Sequence, residues 1–261
     1  VRHQLKRAER DRRVKGVILR IDSPGGEVLT ADEISRHIGD FQKRSGKPVV
    51  ASMGSLAASG GYYVAAPCRW IVAHELTLTG SIGVMLHGYN YRGLMNKVGV
   101  RPEVYKSGRF KDMMSPDRAD EEIPPEERKM LQALVDETFE RFKAVVAEGR
   151  KSASQLNNPE GRALASNWTE YADGRVFSGK QAYELGFVDE LGNFRTAVKR
   201  ILKLAKLSRA NLVQFRQPVS FFRWLRLLGE RGKPNLSIDF GVDLPRLQPG
   251  RLYFIYLPGV R

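Results

Sequence analysis

The fold is decided by residues 54–64, GSLAASGGYYV, within which a strand gives way to a helix. The run before them, Val49–Met53, is apolar, contains β-branched residues and follows the breaker Gly46–Pro48, a pattern typical of a buried strand. The small residues of Gly54–Gly61 would allow another backbone to come close. The sequence therefore predicts a strand–turn–helix unit with Ser59 at the start of its helix.

The same alternation continues on both sides of this unit. Gly16–Ile21 has the composition of a buried strand and is ended by Ser23–Gly26, and Trp70–Ala73 is a further strand. Thr30 and Glu33 have the spacing of a capping box at the start of a helix. The apolar residues of that helix recur at helical spacing: Ile34, Ile38 and Phe41. Strands that alternate with helices predict an α/β fold with a mostly parallel sheet and flanking helices.

The second half of the chain is predicted to be mainly helical. The longest helix runs from Pro124 to about Gly149, and two smaller helices lie near Gly179–Leu185 and Asn193–Lys206. The apolar residues of the longest helix form one continuous stripe: Leu131, Leu134, Val135, Thr138, Phe139, Phe142, Val145 and Val146. The terminal run Arg251–Pro258 has the composition of a strand, but the pattern assigns it no partner.

Composition limits the class of protein. The chain has 261 residues, a net charge of +14 and a single cysteine, Cys68, which excludes a disulfide framework and a multi-cysteine zinc site. The charge suits an anionic partner, such as a phospholipid surface, or a merely solvated basic face. We expect no nucleic-acid partner, because no nucleic-acid-binding motif accompanies the charge. The start at Val1 resembles neither an initiator nor a signal peptide, so we expect an upstream targeting or anchoring segment in the natural protein.

Two patterns that suggest cofactors are rejected. Gly174–Lys180 has the spacing of a phosphate-binding loop, but Gln181 stands where a hydroxyl should hold magnesium, and no buried strand precedes it. The four histidines show no metal-ligand spacing. The sequence therefore predicts no metal and no cofactor.

The junction at Ser59 is a candidate site for acyl chemistry. A helix N-terminus carries partial positive charge and free N–H groups, which would stabilise an oxyanion near the serine hydroxyl. An oxyanion hole needs two donors, and the backbone N–H groups of Gly26 and Gly60 could supply one each. The alternative is that Ser59 only caps the helix.

A serine nucleophile also needs a base, and the remaining candidate is a lysine. Lys111 lies in the loop Ser107–Pro116, before the longest helix. A lysine is a general base only where its amine is neutral, and burial favours the neutral form. The alternative is a solvated loop lysine, which is the usual situation of this residue.

Five segments in register carry a family resemblance: 20–26, 55–63, 79–84, 106–116 and 174–182. Together they resemble the signature set of the signal peptide peptidase A family, in its single-length bacterial form, over roughly residues 14–205. The resemblance implies a crotonase/Clp-protease-like superfold. It also implies that Ser59 is the nucleophile and Lys111 the general base, that Gly26 and Gly60 form the oxyanion hole, and that Ser81 orients the base.

Further expectations follow from the same resemblance. It implies a serine endopeptidase that degrades cleaved signal peptides and other unfolded polypeptides at the extracytoplasmic face of the cell membrane. It also implies a homo-oligomeric ring in which serine and lysine come from neighbouring protomers. Residues 1–205 would form the protease domain, and residues 206–261 a C-terminal extension without an assigned role.

Two other functions are alternatives to a serine endopeptidase. A crotonase-type acyl-CoA enzyme would use the glycine N–H groups to stabilise a thioester enolate, but it needs a carboxylate base. A non-catalytic membrane scaffold would leave Ser59 as a helix cap.

The apolar residues near the candidate site are expected to line a specificity pocket: Leu56, Ile82, Val84 and Met85.

Overall fold

A computed structural model describes residues 1–215 and the backbone of residues 252–255. The helices are α1 (Arg2–Arg10), α2 (Val28–Ser45), α3 (Gly60–Ala65), α4 (Arg92–Lys97), α5 (Pro125–Leu156), α6 (Gly179–Glu184) and α7 (Phe194–Leu204). The strands are β1 (Val17–Ser23), β2 (Gly25–Glu27), β3 (Val49–Ala58), β4 (Trp70–Ala73), β5 (Leu78–Gly80), β6 (Met85–Leu86), β7 (Val176–Ser178), β8 (Glu190–Leu191) and β9 (Leu252–Ile255).

A six-stranded sheet forms the centre of the described structure, and β3 is its longest strand. Strand β1 is parallel to β3 on one side, and β4 and β5 are parallel to β3 on the other. Strand β8 lies beyond β4 and is parallel to it. Only the edge strand β7 is antiparallel to its neighbour, β5. The predicted α/β fold with a mostly parallel sheet is therefore confirmed.

A second, smaller sheet has the order β2-β9-β6. Strand β9 lies between the other two and is antiparallel to both. The strand predicted within Arg251–Pro258 is confirmed for Leu252–Ile255. Its partners could not be assigned from sequence because they lie far away along the chain.

Two boundaries near the candidate site differ from the sequence prediction. Helix α2 begins at Val28, directly after β2, so Thr30 lies inside its first turn and the predicted capping box with Glu33 is wrong. Strand β3 continues through Gly54 to Ala58. A Cβ at Gly54 would lie 2.6 Å from the Asp22 carboxyl carbon, so the absence of a side chain there lets β1 and β3 stay together.

Helix α5 is longer than predicted and only partly covered. Gly149 lies inside it, where a Cβ would come within 2.4 Å of the Ala66 carbonyl oxygen, so this glycine permits close packing rather than ending the helix. Phe142, Val145 and Val146 are buried, but Leu134 is 46% exposed. The predicted continuous buried stripe is therefore correct only for the second half of the helix.

A buried ion pair links α5 to the sheet. The side chains of Arg150 and Asp189 are both 0% exposed and contact each other. Asp189 also accepts a hydrogen bond of 2.7 Å from the backbone N–H of Ile71 in β4. Cys68 is buried nearby, and burial raises the pKa of its thiol to about 12. The thiol therefore stays protonated, which agrees with a structural role for this residue.

Contacts divide the chain into two compact units, Val1–Ser208 with Leu247–Arg261, and Arg209–Arg246. The elements described above belong to the first unit. None of the helices in the described ranges has the length and apolar character that crossing a bilayer requires.

Candidate active site

Ser59 lies at the junction of β3 and α3 with a strained backbone. Its φ of 53° and ψ of −116° are a combination that residues other than glycine rarely adopt. The Ser59 N–H donates to the Gly80 carbonyl at 2.8 Å, and the Ser59 carbonyl accepts from the Tyr63 N–H at 2.8 Å. Strain of this kind is concentrated at functional sites.

The Ser59 side chain is buried without a partner. Residue 59 is 1% exposed, and its Oγ has no hydrogen-bond partner among the residues that the structure describes. Ser59 occupies the N-cap position of α3, but its side chain makes no capping hydrogen bond to that helix. A buried hydroxyl left unpaired costs about 1–3 kcal/mol, which points to a group that acquires its partner from elsewhere.

Glycines let the elements that carry Gly26 and Gly60 come into contact. A Cβ at Gly61 would lie 2.9 Å from the Ser23 carbonyl oxygen, so the first turn of α3 rests directly on the end of β1. Gly25 follows with a φ of 115°, which glycine adopts at little cost and which starts β2. Helix α3 contacts β2, the strand of Gly26. The N–H of Gly60, the first residue of α3, has no intrahelical acceptor.

Lys111 and Ser59 are not paired within one chain. Lys111 is exposed, and its backbone N–H donates to the Gly108 carbonyl at 3.1 Å in a turn of the loop. Because Ser59 Oγ has no partner in residues 1–215, the Lys111 amine of the same chain does not reach it. A lysine base would have to come from a rearranged loop or from a second copy of the chain.

Ser81 is held beside the junction by the segment that mimics a phosphate-binding loop. Ser81 is 7% exposed, has a φ of 49° and donates its backbone N–H to the Arg175 carbonyl at 2.7 Å. Further along this segment, Ser178 and Gln181 cap α6 through reciprocal side-chain hydrogen bonds. Gln181, which stands where a phosphate-binding loop would have a hydroxyl, therefore caps α6, and the absence of a nucleotide site stays a prediction.

The four residues expected in the substrate pocket differ in accessibility. Ile82 is 0% exposed and belongs to the core, whereas Leu56, Val84 and Met85 are half-buried. A sequence pattern cannot distinguish an apolar residue of the core, such as Ile82, from one that lines a pocket.

In the smaller sheet, β2, which contains Gly26, and β6, which contains Met85, are separated by the width of one strand. We call the space between these two strands the groove. In this structure β9 occupies the groove: Phe254 lies opposite Gly26, and Tyr253 lies opposite both Glu27 and Met85. The groove therefore accommodates one strand in antiparallel pairing on both sides.

Over residues 1–215, no three or more His, Cys, Asp and Glu side chains are grouped so that they could hold a metal ion. The absence of a cofactor stays a prediction.

Two charged residues behind the Lys111 loop have no distinguishing pattern in the sequence. Arg118 and Glu127 are 6% and 2% exposed and form an ion pair at 2.7 Å. Their position between a loop and a helix start gave no signal, because charged residues are the usual surface residues of such segments.

The mostly parallel sheet, its flanking helices and the strained, buried serine after β3 define an α/β protein with a candidate serine active site. Residues 41–208 match the model of peptidase family S49. The chain belongs to that family. The resemblance to the signal peptide peptidase A family is thereby confirmed.

Named relatives agree with this assignment. A protein of Enterococcus faecium named as a signal peptide peptidase SppA is 40% identical over 85% of this chain and 61% of its own length. Protease 4 of Salmonella typhi is 35% identical over 80% of this chain and 31% of its own length. The chain spans 61% to 65% of the length of three of the curated relatives that it matches.

Solved structures give more distant likenesses. A mutant of the membrane-bound stomatin-specific protease 1510-N, in complex with a substrate peptide, is 19% identical with a TM-score of 0.42, over 76% of this chain and 69% of that one. An enoyl-CoA hydratase from Bacillus anthracis is 13% identical with a TM-score of 0.36, over 78% of this chain and 62% of that one.

Proposed function

We propose that this chain is a serine endopeptidase in which Ser59 and Lys111 form the catalytic dyad. The observation that carries the proposal is the Ser59 hydroxyl, buried and unpaired on a strained backbone in a chain of family S49. A partnerless serine at a helix start is the nucleophile that such a family requires, and no described histidine contacts it.

The proposed reaction has two halves. The neutral Lys111 amine takes the proton of Ser59 Oγ as this oxygen attacks the peptide carbonyl, and the Gly26 and Gly60 N–H groups stabilise the resulting oxyanion. The protonated amine then gives its proton to the leaving amine, and the C–N bond breaks to leave an acyl-enzyme. Lys111 next takes a proton from the water that attacks the ester. It returns this proton to Ser59 Oγ as the ester C–O bond breaks and the carboxylic acid product is released. Ser81 would orient the Lys111 amine.

Two observations support a dyad shared between protomers of a homo-oligomeric ring. The first is the separation of Lys111 from Ser59 Oγ within one chain. The second is a set of exposed large apolar side chains on the residues before the Lys111 loop and on the first half of α5: Tyr89, Tyr91, Leu94, Val98, Val100, Val104, Tyr105, Met130 and Leu134. A neighbouring protomer that covered them would remove apolar area from water, which favours association.

The proposed substrates are extended polypeptides, cleaved signal peptides among them. A substrate strand would pair with β2 and β6, which places its backbone beside Gly26. Half-buried Leu56, Val84 and Met85 would contact its apolar side chains. The net charge of +14 and the family resemblance support a place at the membrane surface, on the extracytoplasmic face, where the positive charge suits anionic lipid headgroups.

A fluorogenic peptide with an apolar residue before the scissile bond tests the activity. We expect hydrolysis of the peptide and no hydration of an enoyl-CoA thioester. Hydration without peptide cleavage would support the acyl-CoA enzyme instead, and inactivity of the assembled protein in both assays would support the scaffold.

The closeness of α3 to β1 gives a first prediction. Gly61→Ala is expected to lower kcat about tenfold to a hundredfold, because its Cβ would push the Ser23 carbonyl and move Gly26 away from Gly60. The matched control is Gly39→Ala in α2, where a Cβ meets no atom within 4 Å and kcat should not change. Wild-type kcat in a folded Gly61→Ala protein would show that the two donors need no such spacing.

The occupied groove gives a second prediction. Phe254→Pro removes a backbone N–H from β9 and weakens its pairing, so a substrate should enter the groove more easily. We expect KM to fall about two- to tenfold while kcat stays constant, since the groove is occupied less of the time. Phe254→Ala keeps the N–H and is the control, with KM near wild type. An unchanged KM for Phe254→Pro would mean that β9 does not compete with substrate.

A further inference from the structure

The loop that carries Lys111 consists of consecutive turns. Lys111 donates its backbone N–H to Gly108 at 3.1 Å, Met113 donates to Phe110 at 3.2 Å, and Ser115 donates to Asp112 at 3.0 Å. Each of these bonds is local, so none of them fixes the loop relative to the rest of the protein. The Lys111 amine can be placed accurately only if other elements hold the loop.

Arg118 holds this loop from one side. Its Nη1 donates to the Asp112 carbonyl at 3.2 Å, and its Nη2 donates to the Glu122 carbonyl. Nη1 also donates to Glu127 Oε2 at 2.7 Å, and this hydrogen bond raises the pKa of the Arg118 guanidinium. The Arg118 guanidinium therefore links Asp112, the residue after Lys111, to Glu127 in the first turn of α5.

Glu127 holds the loop from the other side. Its second oxygen, Oε1, accepts the backbone N–H of Met114 at 3.2 Å. Met114 has a φ of 63°, which is costly for a side chain of its kind, so this hydrogen bond stabilises an otherwise unfavourable turn. Glu127 itself is fixed in the first turn of α5, where its N–H donates to the Pro124 carbonyl at 3.0 Å.

Other contacts complete the support. Asn90 donates a side-chain N–H to the Arg118 carbonyl at 3.0 Å, and Tyr91 donates its backbone N–H to the Pro116 carbonyl at 2.8 Å. Lys106 Nζ lies 2.8 Å from both oxygens of Asp112 and lowers the pKa of that carboxyl. The charged groups around the loop are thus paired with one another, while Lys111 itself extends outward.

The burial of the Arg118–Glu127 pair needs a reason beyond stability. The two side chains are 7% and 2% exposed, and desolvation of such a pair often cancels its attraction. The pair holds the loop in one position. Arg118 donates to the Asp112 carbonyl and Glu127 accepts from the Met114 N–H, and both backbone groups belong to the loop that carries Lys111. We propose that Arg118 and Glu127 are positioning residues that fix the Lys111 loop, so that the Lys111 amine is held where it reaches Ser59 of a neighbouring protomer. This inference rests on the proposed dyad.

The test compares two neighbouring glutamates of α5. Glu127→Gln is expected to lower kcat for peptide hydrolysis about tenfold to a hundredfold with KM within twofold of wild type, since the substrate groove is untouched. The matched control is Glu126→Gln, which removes an exposed pair with Arg109 of the same loop, at 3.4 Å, and should leave both constants unchanged. Equal kcat values for the two variants would overturn the proposal.

A double variant separates positioning from a general loss of structure. In a Lys111→Ala background, measured with an activated ester, Glu127→Gln should reduce the residual rate less than twofold, because the group it positions is already missing. A further loss as large as that in the wild-type background would overturn the proposal. Wild-type activity of Lys111→Ala alone would instead refute the dyad, so the two failures can be told apart.

Arg118→Lys provides the test if Glu127→Gln does not fold. The ammonium keeps the positive charge next to Glu127 but lacks the planar fork that serves the Asp112 and Glu122 carbonyls. A kcat-selective loss with unchanged KM is expected here too. Wild-type kcat in the folded variant would overturn the proposal.

Discussion

Replacement of Ser59 by alanine is expected to lower peptide hydrolysis by about a thousandfold or more, because the only atom able to form the acyl-enzyme is removed. Lys111→Ala should lose as much, since the serine then has no base. Lys111→Arg should be equally inactive, because a guanidinium keeps its proton at any working pH. The measurement is kcat/KM on the fluorogenic peptide.

The controls are chosen to match residue type. Ser55→Ala changes an exposed serine in β3, the strand that leads to Ser59, and Lys151→Ala changes an exposed lysine in α5. Both should retain wild-type activity. Either dyad variant that keeps substantial activity would contradict the assignment of that residue.

A mixture of inactive variants is expected to recover activity. If each site takes Ser59 from one protomer and Lys111 from its neighbour, a mixed ring of Ser59→Ala and Lys111→Ala chains contains some intact pairs. With random assembly of equal amounts, an intact serine meets an intact lysine at about a quarter of the interfaces, so up to about a quarter of wild-type activity should return.

Reassembly is needed for this recovery and provides its control. The two variants should be dissociated together and reassembled, and the same treatment of each variant alone should give no activity. A reassembled mixture that stays inactive, while wild-type protein treated in the same way recovers, would show that serine and lysine act within one chain.

The sequence predicted those features that depend on local patterns. The strands at Gly16–Ile21 and Trp70–Ala73 and the helix after Ser59 follow from short apolar runs with glycine or proline nearby in the sequence, and the structure contains them at those places. The glycines around Ser59 drew attention because small residues at a strand–helix junction permit close approach. Gly61 does so against the Ser23 carbonyl.

Features that depend on distant contacts could not be predicted. β9 pairs with strands near the other end of the chain, and no periodicity encodes that partner. The half-exposed Leu134 of α5 has the same spacing as the buried Phe142, because a pattern shows an apolar face without showing what covers it. In the sequence, Arg118 and Glu127 cannot be distinguished from ordinary surface charges, because they are buried only in the folded structure.

The most direct test of the account is covalent labelling of the assembled wild-type protein by a fluorophosphonate, followed by peptide mapping. We expect one adduct per chain, on the Ser59 oxygen, and negligible labelling of the Lys111→Ala protein under the same conditions. An adduct on another residue, or labelling of Lys111→Ala at the wild-type rate, would contradict the claim that this lysine activates this serine.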